Sequence, residues 1–428
     1  MIILAGISIL ILFLVLGLPV GFALGVAGCL SLLMIAPEAT VLGLMTEVVH
    51  HTFANYVILT IPAFVMMSEF LSAGGIADDM MIACNRVMRR IRGGLAMACV
   101  LAGAVLAATS GSSTASVATI ARAAYPTMAR LGYNPGLAVG TIAISGTLAI
   151  MIPPSIALVV YGILTEESIG KLFIAGIGPG IVTALGYIFA IFITIKRNPD
   201  FAPMQDAALA DTNGNEVKQK GRVWPVGLLV FVVLGSLYSG LATPTEVGAI
   251  GAVGAFVLAL SLRRLDPRSA VAAVGNTLRT STMIVTIIFG ALMFGYFMTY
   301  TQTTVKLLEW IAAADVSPYL VLSLILLMYL LMGMLMDQFA ILVLTVPVTY
   351  SIVTGLGFDP IWFGILVVKT AEIGLVTPPV GLNIFIASSA TGTSTKVGFK
   401  GVTPFVIVEL VLLGLLVLFP QITLFLVN

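Results

Sequence analysis

The chain matches itself at an offset of 225 residues, without a gap. Leu131-Gly132-Tyr133-Asn134-Pro135 falls on Leu356-Gly357-Phe358-Asp359-Pro360, and Pro153-Pro154 falls on Pro378-Pro379. Lys171, Gly176 and Pro179 fall on Lys396, Gly401 and Pro404, and Pro19 falls on Pro244. The chain is thus two copies of one unit, each with a double proline inside an apolar segment. In a membrane protein, duplicated and interrupted helices point to a solute site at the repeat interface.

That the setting is a membrane follows from composition. Hydrophobic residues make up 59% of the chain and charged residues 9%, against about 25% charged in globular proteins. Residues 2–18 carry no Lys or Arg before their apolar run, so they read as a first span and not as a cleavable signal. A span needs about 20 apolar residues. The expected spans are 2–17, 19–35, 55–73, 135–165, 172–196, 223–240, 243–262, 278–300, 360–390 and 402–426. The fourth and ninth of these contain the Pro-Pro. Re-entrant hairpins are expected at about 95–130, breaking at Ser110-Gly111-Ser112-Ser113-Thr114, and at about 319–354, breaking near Gly333 to Gln338. Segments 38–52 and 266–277 read as amphipathic arms at the membrane surface. The domain plan is a first repeat with its N-terminal span over 1–197, a polar cytoplasmic linker over 198–222 and a second repeat with its preceding span over 223–428. The expected fold class is an all-α polytopic membrane protein of two inverted repeats, with two re-entrant hairpins and two broken helices.

Basic residues orient the chain. With the N-terminus outside and neither hairpin crossing, all but three of the 20 Lys and Arg lie on the inner side. The exceptions are Lys171 and Lys306, which face out, and Lys369, within a span. Pro19 then begins a span inside and Pro244 begins one outside. The repeats are inverted, hairpin 1 opens to the cytoplasm and hairpin 2 opens to the exterior.

The chemistry is expected at the breaks. Proline removes a helical hydrogen bond, so carbonyls at Ala149–Ser155 and at Gly374–Gly381 are partly freed. Irregular backbone at membrane depth survives only against protein or a polar cavity. Freed carbonyls, hydroxyls and half-helix C-terminal ends suit Na⁺. Ser110 and Ser113 offer hydroxyls to the first break and Thr377 to the second, so two related ion sites are expected. The polar candidates for substrate contact are Ser112, Thr114, Ser155, Asp337, Gln338 and Asn383.

Charges inside spans are costly in a bilayer and are functional candidates by default. Asp337 lies at the second hairpin tip, where it either meets a ligand or caps the broken helix. Lys369 and Glu372, three apart on one helix face, are expected to pair with each other or with neighbours, with Lys369 also a candidate for attracting an anionic substrate. Glu246 reads as a cap or a contact between moving parts, and Glu69 as structural. Cys29, Cys84 and Cys99 read as apolar fillers, and His50 and His51, on the first arm, are not expected to bind a metal. There is no nucleophile–base pair and no GxxxxGK[ST] loop, which argues against an enzyme and against a primary pump.

Taken together, the Ser-Gly-Ser-Ser-Thr tip, the Leu-Gly-Tyr-Asn-Pro and Ile-Pro-Pro-Ser series, Ala-Thr-Pro-Thr-Glu and Thr-Pro-Pro-Val-Gly-Leu-Asn resemble the large (M) membrane subunit of a TRAP transporter, a tripartite ATP-independent periplasmic transporter. The resemblance runs over essentially the whole chain. It implies an elevator-type, Na⁺-coupled importer of organic acids such as sialic acid or C4-dicarboxylates. It implies residence in the bacterial inner membrane, where the basic-residue asymmetry puts both termini on the periplasmic side, and no nucleic-acid partner is expected. It also implies a small four-helix Q subunit, expected as a separate chain, and a periplasmic substrate-binding P subunit. Carried over residue by residue, Ser110, Ser113, Ala149, Ile152 and Pro154 would form one Na⁺ site, and Gly333, Gly374, Thr377 and Val380 the other. Ala149 stands where the family often has glycine, a change that a carbonyl ligand survives. A stand-alone Na⁺/carboxylate symporter and an ion channel are the competing readings.

Overall fold

The computed structural model describes residues 2–88, 90–203 and 224–427. Most of the expected linker at 198–222 lies outside the described residues. Among the described residues the regular elements are all helical. The first half runs α1 (Ile2–Val15), α2 (Val20–Leu33), α3 (Glu38–Ala54), α4 (Thr60–Ala73), α5 (Ile76–Met88), α6 (Gly94–Ser110), α7 (Ser113–Arg130), α8 (Pro135–Met151), α9 (Ile156–Thr165) and α10 (Ile169–Arg197). The second half runs α11 (Trp224–Tyr238), α12 (Pro244–Ser261), α13 (Pro267–Tyr300), α14 (Thr303–Ala313), α15 (Pro318–Gly333), α16 (Gln338–Gly355), α17 (Pro360–Leu375), α18 (Leu382–Thr391), α19 (Thr395–Leu418) and α20 (Gln421–Leu424).

The offset of 225 carries α7 onto α16, α8 onto α17 and α9 onto α18 to within one residue at each bound. Local chemistry explains the agreement. Asn134 and Asp359 occupy equivalent N-caps; their side chains accept from Leu137 N at 3.2 Å and Trp362 N at 2.8 Å, and each is followed by proline in the first turn, where a missing N–H costs nothing.

Packing is reciprocal as well. α2 packs along α13 while α12 packs along α4, and α19 packs on α8 while α10 packs on α17. The tails of the broken helices are exchanged: α18 lies against hairpin helix α7, and α9 against hairpin helix α16. Each repeat therefore completes the core of the other, as a two-fold arrangement requires. Glycines permit the closest approaches. A Cβ on Gly140 would lie 2.5 Å from the Gly401 carbonyl carbon, and one on Gly290 would lie 2.1 Å from the Gly21 carbonyl oxygen.

Among the described residues six helices are long and apolar enough to cross a membrane, and α8 with α9 is a further candidate span bent by 41° at its break. Large apolar side chains such as Phe231 (74% exposed) and Leu418 (72%) stand on the outer surface, where lipid and not water is the compatible neighbour.

Two expectations are corrected. The second arm, 266–277, is not separate from the span at 278–300; both belong to the single 34-residue helix α13. The first arm, α3, is separate, because Asn55 and a short 3₁₀ turn over Tyr56–Leu59 interrupt the chain before α4, whose first turn holds Pro62. The residue equivalent to Pro62 is Ile287, so nothing breaks α13 there. Helices α5 and α14 are additional, filling the intervals between a span and a hairpin.

Candidate functional site

Hairpin 1 turns at Gly111, whose φ of +56° is a left-handed conformation that glycine adopts without strain. Ser112 is extended and α7 starts at Ser113. Ser113 is buried, and its Oγ accepts a 2.7 Å hydrogen bond from Asn383 Nδ2 in the other repeat. Ser112 Oγ lies 3.2 Å from Thr114 Oγ1. The side chain of Ser110 lies outside the described residues. Facing this tip, α8 stops at Met151, and the Ile152 N–H bonds to Leu148 O at 3.0 Å. The Ala149 and Ile150 carbonyls meet proline nitrogens four residues on, at Pro153 and Pro154, which carry no hydrogen. Ser155 then caps α9, its Oγ accepting from Leu158 N at 3.3 Å.

The second break repeats this plan. Gly374 and Leu375 meet Pro378 and Pro379 in the same register, although Gly374 O also accepts from Thr377 N at 2.9 Å. Thr377 Oγ1 donates to Ile373 O at 2.5 Å, leaving its lone pairs for a ligand. Gly333 and Gly374 are in backbone contact: a Cβ on Gly374 would lie 2.4 Å from Gly333 Cα. The Val380 side chain is exposed, so only its backbone carbonyl suits the role assigned to it. Asp337 caps α16, accepting from Phe339 N at 3.0 Å and Ala340 N at 3.2 Å.

Both tips, and the helix ends that lead into both breaks, line one cavity of about 410 Å³. Its wall includes Ser112, Ser113 and Thr114 from hairpin 1 and Asp337 and Gln338 from hairpin 2. Ile150 and Leu375, from the C-terminal ends of α8 and α17, also line it. Four helix ends converge there: the N-termini of α7 and α16, which favour negative charge, and the C-termini of α8 and α17, which favour positive charge. They are two symmetric pairs, since Ser113 and Ile150 moved by 225 are Gln338 and Leu375. Gln338 is buried at this wall with neither side-chain amide atom hydrogen-bonded to the protein, as suits a residue awaiting a polar ligand. Of the sequence-derived substrate candidates, Ser112, Thr114, Asp337 and Gln338 line the cavity. Ser155 and Asn383 do not; they hold its walls, as a helix cap and as a brace on Ser113. Thr280 and Met283 of α13 also line it, and nothing in their sequence context marks them.

Residues 7–422 match the family model for the tripartite ATP-independent periplasmic transporter, DctM component. The chain belongs to this family. The C4-dicarboxylate TRAP transporter large permease protein DctM of Pseudomonas aeruginosa is 35% identical, over 95% of this chain and 94% of that protein. The isethionate TRAP transporter permease protein DctMQ of Oleidesulfovibrio alaskensis is 30% identical over 97% of this chain, which spans 64% of that longer relative. Among solved structures, the Alcanivorax borkumensis YdaH transporter superposes with a TM-score of 0.67 at 16% identity, covering 97% of this chain and 99% of that one; the likeness shows the fold. The protein is therefore a multi-pass TRAP large permease and not an enzyme.

The ionisable residues of this permease sort by role. Glu246 forms a capping box with Thr243 at the start of α12. Glu69 on α4 accepts from Asn276 Nδ2 on α13 at 3.1 Å. Lys369 does not line the cavity. It is fully buried and pairs with Glu409 Oε2 on α19 at 2.6 Å, not with Glu372, and it donates to Thr183 Oγ1 on α10 at 2.9 Å. Tyr187 donates to the other Glu409 oxygen and lies 2.9 Å from Thr147 Oγ1 on α8. Sequence reasoning missed Glu409, although a lone acid in the middle of an apolar span is itself a signal.

Proposed function

We propose that this permease carries small organic anions, C4-dicarboxylate-like carboxylates foremost, across the bacterial inner membrane in symport with Na⁺. The convergence of four helix ends on one cavity carries the reading. Two helix N-termini offer backbone N–H groups and positive dipole ends to a carboxylate. The freed carbonyls and hydroxyls beside them offer hard, uncharged oxygens to Na⁺. Ser113 with the Ala149 carbonyl, and Thr377 with the carbonyls at Gly374 and Leu375, are the donors that fit. Among the described residues no group of His, Cys, Asp and Glu gathers as a transition-metal site would require.

In this reading the two hairpins, with α8–α9 and α17–α18, form the moving body. It slides against a frame built on the α2–α13 and α4–α12 pairings, with both chain termini periplasmic. A small Q-type membrane subunit enlarges the frame; the DctMQ name and greater length of the isethionate relative support such a partner. A periplasmic P protein delivers substrate. The energy supply is adequate. Two Na⁺ entering down a tenfold gradient release about 1.4 kcal/mol each. With a dicarboxylate dianion the net charge moved is zero, so the membrane potential adds nothing. The sum of roughly 3 kcal/mol sustains accumulation on the order of 10²-fold.

Uptake of a labelled C4-dicarboxylate into vesicles tests the proposal. Transport should require this chain, the Q subunit, the P protein and an inward Na⁺ gradient together. Full uptake with K⁺ replacing Na⁺ would refute the coupling, and robust uptake without P would favour a stand-alone carrier.

A further inference from the structure

The buried chain of side chains behind the cavity does nothing in the reading above, and it is expensive. Lys369 and Glu409 are 0% and 1% exposed at the side chain. Buried ion pairs can commonly be replaced by apolar residues without loss of stability, and their best-attested use is to fix register. In a membrane-spanning segment such a pair is a functional candidate by default.

Its placement shows what it fixes. Thr147 sits on α8, two residues before Ala149, and Lys369 sits on α17, five residues before Gly374. Thr147 reaches Tyr187 on α10 at 2.9 Å, Tyr187 donates to Glu409 on α19, and Glu409 pairs with Lys369 at 2.6 Å. Lys369 closes back onto α10 through Thr183 at 2.9 Å, and its ammonium lies 6.0 Å from the centre of the Tyr187 ring. The first halves of both broken helices are thereby tied together through two further helices. The 225 offset turns Lys369 into Ile144, Glu409 into Ala184 and Tyr187 into Leu412. Packing that is duplicated follows from the repeat; this tie is present once, and Glu372 stands at the position equivalent to Thr147.

We infer that Thr147, Tyr187, Glu409 and Lys369 form a positioning staple that sets the spacing of the two cation sites, so that occupancy of one site is transmitted to the other. The inference rests on the two-Na⁺ reading above. The four residues are positioning residues and touch neither ion nor substrate. Tyr187→Phe removes the hydroxyl at the centre of the staple while keeping the ring and its edge contact with Phe405. Lys369→Met/Glu409→Leu replaces the ion pair by apolar volume.

The test is Na⁺-driven uptake by the full complex, with thermal unfolding of the same preparations as a check on folding. Wild type should show a Hill slope approaching about 2, and both variants should fall towards about 1. The unfolding temperatures should stay close to wild type in at least one variant. A merely structural pair would shift the unfolding temperature and leave the slope alone. Wild-type slopes in both variants overturn the inference while the Na⁺ reading stands. A wild-type protein indifferent to Na⁺ refutes that reading and the inference with it.

Discussion

Gly374→Ala is a sharp perturbation placed directly at the second break. An ideal Cβ at this position lies 2.4 Å from Gly333 Cα, 2.5 Å from the Gly333 carbonyl carbon and 2.9 Å from Leu330 O. All three atoms are backbone, so no side chain can rotate away. Carbon atoms pack at about 3.5–4.0 Å; α15 and α17 must therefore separate by about 1 Å. Overpacking of this kind costs about 1–3 kcal/mol, offset by up to about 1 kcal/mol because alanine favours a helix over glycine. The net of about 1–2 kcal/mol lowers the unfolding temperature by about 1–2 °C in a chain of this length. The larger effect falls on transport, since Gly333 and Gly374 flank the second candidate cation site. A misplacement of about 1 Å can cost up to about 10²-fold in a preorganised site, so the Na⁺ concentration for half-maximal uptake should rise at least about tenfold. Gly414→Ala is the control, because a Cβ there meets nothing within 4 Å. Thermal unfolding of the purified complex and Na⁺ titration of vesicle uptake read the two effects. If Gly374→Ala matches wild type and Gly414→Ala in both, the close approach does not organise the site.

Three more outcomes follow. Cysteines introduced as Asn213→Cys and Asn428→Cys should label oppositely in intact cells with an impermeant reagent, the second from outside; labelling of position 213 from outside would sink the inverted arrangement. Ser113→Ala and Thr377→Ala should each raise the half-saturating Na⁺ concentration without abolishing uptake, because backbone ligands remain; unchanged Na⁺ dependence in both would leave only a packing role for the hydroxyls. Lys369→Met alone leaves both Glu409 and the buried Glu372 without their cation and should destabilise the protein by about 3–5 kcal/mol, whereas Lys369→Met/Glu409→Leu leaves only Glu372 so and should lose less; equal losses in a thermal-unfolding comparison would contradict the pairing.

The sequence made the broken helices legible almost to the residue. The expected span at 135–165 holds α8 and α9, and 360–390 holds α17 and α18 to within one residue. The reason is covalent: a cap followed by proline starts each helix, and two successive prolines stop its hydrogen bonding. The hairpins were equally readable, since a polar or Gly-containing break between two apolar runs, Ser110 to Thr114 in the first and Gly333 to Gln338 in the second, admits little else. Legibility failed where position depends on distant partners. The second arm merged into α13 because Ile287 stands where the first repeat has Pro62, and an apolar run alone does not say whether a helix pauses. Asp337 was legible as a residue at a tip, yet its dual position, capping α16 and lining the cavity, needed coordinates. The partner of Lys369 lies 40 residues away on another helix, and Glu372, three residues away, was the nearer candidate by helical spacing. Thr280 and Met283 reach the cavity only because α13 passes beside it.

The bond from Asn383 to Ser113 joins residues 270 positions apart, and α18 covers a hairpin made in the other half of the chain. During synthesis at about 5–20 residues per second, the tip of the first hairpin waits on the order of 15–50 s before its cover exists. In that interval a polar, irregular loop must be sheltered by the translocon, by an insertase or by early partners. Truncations anywhere before α18 should therefore be recognised as unfinished and degraded, however well their earlier helices have inserted.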